Sequence, residues 1–290
     1  MHFKNISIYS SKKDKRVNQI TLQLVEILQN LKLNVLISDS SSISKKLKIK
    51  RYSDRYILNN SDLMISIGGD GTLLSAARKF GSKGLPLLGI NLGNLGFLTD
   101  IAPNELTTSI NEVISGNFNK DKRILLKASI NRSSKETIAL NEVVIHSGAV
   151  AQLIEYELYL NEEFVFHQRA DGLIVSTSTG STAYSLSGNG PIVHPDVKAI
   201  TLLPMFPHSL NARSLIVDEN SKICVRIVGK RSAKLSLDSH NFMNLNLKDE
   251  VEISKTDQLV TLIHPLSHNF FSACRTKLGW SLGMTKSKET

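Results

Sequence analysis

Four short apolar runs, FKNISIY (3–9), LNVLIS (33–38), DLMISI (62–67) and LPLLGI (85–90), dominate the first third of the chain, with helix-patterned segments between them. Residues 14–31 place Val17, Ile20, Leu24, Ile27, Leu28 and Leu31 at helical spacing, and TLLSAARKF (72–80) reads as a second helix. Strands alternating with helices specify βαβ units and a parallel sheet. Such sheets bind ligands at the carboxyl ends of their strands. GGDGT (68–72) and NLGNLGFLTD (91–100) both sit just past strand ends, where one crevice can serve both.

After about residue 120 the pattern changes to short β-rich runs separated by turn residues, among them TIALNEVVIHS, GLIVSTS and LIVDENSKICVRIVG. LYLNEEFVF reads as a hairpin around Asn161 and Glu162. The expected architecture is an α/β N-terminal domain with a parallel sheet over residues 1–120 and a β-rich domain over 121–265. A C-terminal segment, 266–290, contains the amphipathic NFFSACRTKLGW (269–280), expected to be helical and to pack back on the first domain.

At 290 residues the chain is long enough to bury a substantial core without staples. No apolar run approaches the ~20 residues of a membrane span, and MHFKNISIYSSKK lacks a signal-peptide core, so a cytoplasmic protein without a membrane partner is expected. Two isolated cysteines, Cys224 and Cys274, argue against structural zinc or a disulfide framework and read as buried small side chains. The formal net charge of +9 fits an acidic small molecule. Its clusters, KKDKR (12–16) and KKLKIKR (45–51), lack the interleaved aromatics of a single-strand binder, and nucleic acid is not an expected partner. The 45–51 segment reads as a surface loop of unknown role.

No P-loop, dinucleotide GxGxxG, HExxH or GxSxG motif occurs; Leu74 stands where the third glycine of a dinucleotide fingerprint would be. The turn at 68–72 is different. Gly68, Gly69 and Gly71 let backbone N–H groups approach an oligophosphate, and Thr72 is placed to cap the following helix. Asp70 puts a negative charge where anionic oxygens are expected. In phosphoryl transfer a carboxylate orients or deprotonates the attacking hydroxyl, so Asp70 reads as a general base, or else as a simple turn or N-cap aspartate. RADGLIVSTSTGSTAYSLSGNGPIVHP (169–195) is dense in hydroxyls on tight turns, which suits a flat polar ligand with phosphates, and Tyr184 is available for stacking. In LNEVVIHSG (140–148), Asn141 and Glu142 interrupt an apolar strand, and an amide offers the donor and acceptor that an adenine edge requires.

Together these three stretches resemble the ATP-NAD kinase family, in the order and background of its γ-proteobacterial members, with PMFPHSL (204–210) in support. The resemblance runs from the strand before GGDGT to LGW near the end. It implies NAD in a cleft between the two domains and transfer of the ATP γ-phosphoryl to the adenosine ribose 2′-hydroxyl, giving NADP and ADP. By the same resemblance Asp70 matches the catalytic aspartate, and Gly68, Gly69, Gly71 and Thr72 the phosphate-handling turn. Asn141 and Glu142 match the adenine–ribose end, Asp171 the residue near the nicotinamide, and Thr182, Ala183, Tyr184 and Ser187 the lining of the dinucleotide pocket. Phe97 matches an aromatic beside NAD, and Arg169 precedes Asp171 as in relatives that prefer NAD over NADH. Mg²⁺ carried mainly on phosphate, no protein-held metal site and a homo-oligomer, dimer or tetramer, are implied as well.

Three positions depart from the family pattern. Ser178 replaces a proline, Asn189 a glycine and Ser214 a proline, which is expected to cost stability more than mechanism. Asn tolerates positive φ well enough for its turn to survive. A lipid or sphingoid kinase shares GGDGT but needs an apolar acceptor pocket, against which the hydroxyls of 176–187 argue. A non-catalytic dinucleotide sensor has no need of Asp70 as a base.

Overall fold

The computed structural model describes residues 3–93, 96–134, 136–148 and 152–280. The chain forms two compact units, 1–122 with 260–290 and 123–259. The sequence reading puts its divisions at 120/121 and 265/266; the part of its C-terminal segment over 281–290 lies outside the described residues.

The first unit opens with β1 (Asn5–Tyr9), α1 (Lys15–Asn30), β2 (Asn34–Ser38), β3 (Arg51–Tyr52), α2 (Asp54–Asn60), β4 (Leu63–Gly68), α3 (Asp70–Lys79), β5 (Leu87–Asn91) and α4 (Leu106–Ile114). The strands pair in parallel in the order β5-β4-β1-β2-β3. Every residue of β4 is buried, as expected of a central strand covered on both faces. Val17, Ile20, Leu24 and Leu28 of α1 and Ile110 and Val113 of α4 join Ile6, Ile8, Ile65 and Ile67 in one apolar core. Asp14 caps α1, its carboxylate accepting from the Arg16 N–H at 2.8 Å.

The basic 45–51 segment is not simply a loop. Lys45–Leu47 form a 3₁₀ turn, and Arg51 begins an edge strand. The Arg51 guanidinium donates to the carbonyls of Ser38, Ser41 and Ile43, closing the connection from β2.

The second unit is antiparallel. Its elements are β6 (Phe118–Ile130), which begins in the first unit, β7 (Thr137–Ala139), β8 (Glu142–His146), β9 (Ile154–Leu160), β10 (Glu163–Ala170), β11 (Gly172–Thr177), the short helix α5 (Tyr184–Ser187), β12 (Ala199–Met205), β13 (Leu215–Asp218), β14 (Ile223–Ile227), β15 (Ala233–Leu237), β16 (His240–Leu245) and β17 (Glu250–Pro265). One sheet has the order β13-β12-β11-β8-β15-β16; the other runs β10-β9-β14-β17, with β6 pairing β17 and β7. Residues of both sheets meet in one core, where Val143, Ile145, Leu173 and Val175 join Tyr156, Leu158, Val225 and Val251. The opposite face of the first sheet buries a smaller cluster of Val144, Ile174 and Leu203. Burial on both faces explains the unbroken apolar run of β11. The β9–β10 hairpin turns at Asn161 and Glu162, with φ of 49° and 72°, as the primed turns of hairpins require.

The chain re-enters the first unit along β17, whose Leu262 pairs in parallel with Leu87 of β5. It then forms α6 (Phe270–Leu278), capped by Asn269 and ended by Gly279 at φ 68°. Among the described residues no helix is long and apolar enough to cross a membrane. Both cysteines are free; Cys274 is buried as expected, but Cys224 is only half-buried because it faces out from β14.

Candidate active site

In the first unit, β4 runs straight into the glycine turn and α3 starts at Asp70, two residues earlier than the sequence pattern suggests. The reading of Thr72 as the helix cap is therefore corrected. Gly69, in extended backbone, occupies the cap position with no side-chain cap bond. Thr72 lies inside the first turn, buried, with its hydroxyl 3.0 Å from that of Ser11. Gly68 is required by packing, since a Cβ there would lie 2.7 Å from the Thr72 Cβ; in front of Gly69 and Gly71 the space is open. An uncapped helix N-terminus facing open space favours an anion.

Asp70 does more than decorate this turn. Its Oδ1 accepts from the backbone N–H groups of Leu98 and Thr99, at 3.2 and 3.1 Å, and from the Thr99 hydroxyl at 2.9 Å. Its Oδ2 accepts from the Phe97 N–H at 2.9 Å and lies 3.7 Å from Lys277 Nζ. One carboxylate thus folds the 97–99 loop over the turn and brings Phe97 to it. A cavity of about 250 Å³ beside it is lined by Lys12, Arg16, Gly69, Asp70, Asn91 and Lys277. Three cations, an open helix N-terminus and one anchored carboxylate thus face one cavity, an arrangement whose charge suits an oligophosphate. The cavity also has Asp14, already engaged by Arg16 at 2.9 Å.

In the second unit, the Asn141–Glu142 pair begins β8. Both side chains are buried, at 6% and 3% exposure. Asn141 Oδ1 and Glu142 Oε2 are shielded from solvent without a hydrogen-bond partner. Buried polar atoms are normally satisfied, so two orphans on adjacent residues single this place out as one with bonding capacity to spare. Burial first, and the nearby Asp238 carboxylate second, push the Glu142 carboxyl up to about 8, although the Tyr184 N–H bond opposes them.

Asp238 is a residue the sequence reading missed. Its carboxylate accepts from the backbone N–H groups of Leu140, Asn141 and Glu142 at 2.9, 2.8 and 3.3 Å. These bonds hold the pair at the start of β8. No local pattern links residues so far apart in sequence; the only sign was an aspartate in a tight turn, where Asp238 and Ser239 both take positive φ.

The hydroxyl-rich segment divides in two. Ser176, Thr177, Ser178, Thr179 and Ser181 are buried and mostly structural. Thr177 donates to the Leu140 carbonyl at 2.7 Å, and Ser181 to the Ser178 carbonyl at 2.7 Å. Arg123 donates to the Thr179 hydroxyl at 3.0 Å. Gly180 packs so closely that a Cβ would lie 2.2 Å from the Asn141 carbonyl oxygen, which ties this segment to the Asn–Glu pair. Ser185 is buried as well, its Oγ without a hydrogen-bond partner, and the other positions are more accessible. Thr182 and Ala183 are half-buried, and Tyr184 and Ser187 are exposed. Tyr184 and Ser187 line a cavity of about 490 Å³ with Leu203, Met205 and Phe206. Arg169 is exposed at the end of β10, and Asp171 is half-buried between β10 and β11. Asn189 takes φ 65°, and the turn closes through Gly190 N–H to the Ser185 carbonyl at 2.8 Å, so asparagine does serve there.

Each unit therefore gathers its own set of expected residues: Gly68–Thr72 with Phe97 in one, Asn141 and Glu142 with the 182–187 segment in the other. The ATP-NAD kinase N-terminal domain family matches residues 6–118, and the ATP-NAD kinase C-terminal domain family matches residues 140–265. An NAD kinase of Chromohalobacter salexigens is 48% identical over 76% of this chain and 77% of its own. One from Pseudomonas entomophila is 42% identical over 96% of each. Among solved structures, yeast NADH kinase complexed with NADH has a TM-score of 0.89 at 26% identity, covering 99% of this chain and 91% of that one. An NAD kinase from Archaeoglobus fulgidus in complex with ATP has a TM-score of 0.74 at 25% identity, covering 94% and 99%. The chain is a kinase and belongs to the ATP-NAD kinase family.

Proposed function

We propose that this kinase transfers the γ-phosphoryl group of ATP to the 2′-hydroxyl of the adenosine ribose of NAD, with Asp70 as general base. ATP-dependent phosphorylation of NAD to NADP is the activity of its family. The observation that carries the finer reading is the anchored carboxylate of Asp70 at the N-terminus of α3, beside a cation-lined cavity. Oδ1 is occupied by three donors, which leaves Oδ2 as the oxygen able to accept a hydroxyl proton.

In this step the ribose oxygen forms its bond to the γ-phosphorus as the bond from phosphorus to the β-bridging oxygen breaks. The electron pair leaves with ADP, and the hydroxyl proton passes to Asp70 Oδ2. Such chemistry asks the protein mainly for position and charge. Gly69, Gly71 and the helix N-terminus hold phosphate oxygens, and Lys12 and Arg16 offset their charge. ATP would enter as its Mg²⁺ complex, and the ion would supply positive charge that offsets that of the phosphates. The orphaned Asn141 Oδ1 and Glu142 Oε2 receive the adenosine. Asp171 serves the nicotinamide end, with Arg169 beside it in sequence, and Phe97, Thr182, Ala183, Tyr184 and Ser187 line the dinucleotide site. The enzyme works as a homo-oligomer in the cytoplasm.

The test is to incubate the protein with NAD, Mg²⁺ and ATP and to offer the product to an NADP-specific dehydrogenase. That enzyme accepts only the 2′-phosphate, so stoichiometric reduction is expected. ADP release with a product the dehydrogenase refuses would contradict the 2′ assignment.

A further inference from the structure

The motif RTKLGW (275–280) has no task in the mechanism above, yet its lysine does not lie free on the surface. Lys277 sits in the last turn of α6 with its side chain 29% exposed. Its ammonium is 3.7 Å from Asp70 Oδ2 and 4.9 Å from the centroid of the Phe97 ring. An ion pair on one side and an aromatic face on the other fix a side chain that otherwise has great rotamer freedom. The Phe97 ring in turn contacts Phe270 at the start of α6, at 6.5 Å between centroids.

The approach to α6 is anchored to the same loop. His264 and His268 stack at 4.0 Å, and each places Nδ1 against Asp100 Oδ2, at 3.0 and 2.9 Å. Asp100 directly follows Thr99, which supplies two of the four donors to Asp70. The 97–100 loop therefore grips Asp70 with its first three residues and the C-terminal segment with its fourth. Lys277 completes the loop's connection back to Asp70.

We propose that Lys277 is a positioning residue of the phosphoryl-transfer site, holding the Asp70 carboxylate in place and offsetting its charge as the triphosphate enters the shared cavity. This rests on the reading of Asp70 as the carboxylate of the reaction. The ammonium stands on the side of Oδ2, the oxygen left to receive the proton, and lines the cavity that takes the phosphates. Without it only Lys12 and Arg16 remain of the cations that line the cavity, and Arg16 also pairs with Asp14.

The test is a double-mutant cycle of Lys277→Met and Asp70→Asn, with Lys277→Arg as the conservative variant. We expect K277M to lower kcat by about 10- to 100-fold, the range of one charge aimed at a phosphoryl-transfer centre. NAD affinity should stay within about threefold, and K277R should recover most of the loss. In the Asp70→Asn background, where there is no carboxylate charge to hold, K277M should cost less than about threefold. An unchanged kcat in K277M overturns the proposal. So does an equal loss in both backgrounds, which would mean that Lys277 acts independently of Asp70, on the phosphates or on the fold. If Asp70→Asn is itself fully active, the reading of Asp70 has failed and the proposal goes with it, an outcome the single variant separates from the other two.

Discussion

Glu142 holds a proton that an exposed glutamate would have lost at neutral pH. Its folded pKa is pushed up to about 8, against 4.5 for the free group, so the folded state binds the proton more tightly than the unfolded chain. The sign follows: stability from this group is complete below pH 4.5 and is lost as pH rises through 8, at about 1.4 kcal/mol per unit between the two. Glu142→Gln cannot ionise. Thermal melts of the two proteins should agree within about 2 °C at pH 4.5, and the variant should be the more stable at pH 8.5. A difference independent of pH would contradict the buried, protonated carboxyl. Ser178 has a bond that offsets the proline it replaces. Its φ of −55° suits a proline, but its hydroxyl donates to the Val197 carbonyl, a bond proline lacks. Removing that bond costs about 1 kcal/mol, and the proline's unfolded-state gain is about 0.4–1 kcal/mol. Ser178→Pro should therefore leave Tm nearly unchanged, whereas Ser178→Ala should lower it by about 2–4 °C. A rise of several degrees in the proline variant would show that the hydroxyl bond contributes little. Asp70 shows how far a residue type can be read. Its presence and acidity were plain, but its work as anchor of the 97–99 loop was not, because backbone donors leave no mark in sequence. That work also removes an argument against a sensor, since a sensor with this loop would need Asp70 too; the family, not the anchored aspartate, assigns the kinase.

At the scale of elements, periodicity identified most of what positions the site. β1, α1, β2, β4, α3 and β5 all lie where apolar spacing puts them, and the β9–β10 hairpin turns where Asn161 and Glu162 announce it. The misses have physical reasons. α2 has one buried residue, Ile57, and so no apolar stripe to see. β3 is two residues long, too short for a pattern, and is held by pairing with β2 and by the Arg51 guanidinium, which gathers four carbonyls around it. α3 starts early because Gly69 gives the chain an extended cap residue and Asp70 suits the first turn, where negative charge meets the helix dipole. α6 shows both sides of the matter. Its amphipathic spacing was legible, and its lysine's position beside Asp70 was not, since tertiary packing alone brings residues 70 and 277 together.

For the whole molecule, the change from alternating helices and strands to short β-runs separates a parallel α/β unit from an antiparallel one. The finer boundaries follow the strands: 122/123 and 259/260 fall inside β6 and β17, which belong to both units and so carry no loop signal at the division. The site residues follow the same logic. Those on short, charged or glycine-rich breaks in apolar strands stood out, while Asp238 and Lys277, which serve them from elsewhere in the chain, did not. The proposed mechanism stands on the anchored carboxylate of Asp70 taking part in the transfer. The most direct measurement is kcat for NADP formation at saturating ATP and NAD in wild type and Asp70→Asn, alongside NAD affinity and Tm. Asparagine keeps one carbonyl oxygen for the Oδ1 donors, so the loop should survive with a Tm loss of a few degrees and NAD affinity within about threefold. The expected loss in kcat is at least about 10²-fold; a folded, NAD-binding Asp70→Asn enzyme with kcat near that of wild type would contradict the role of Asp70.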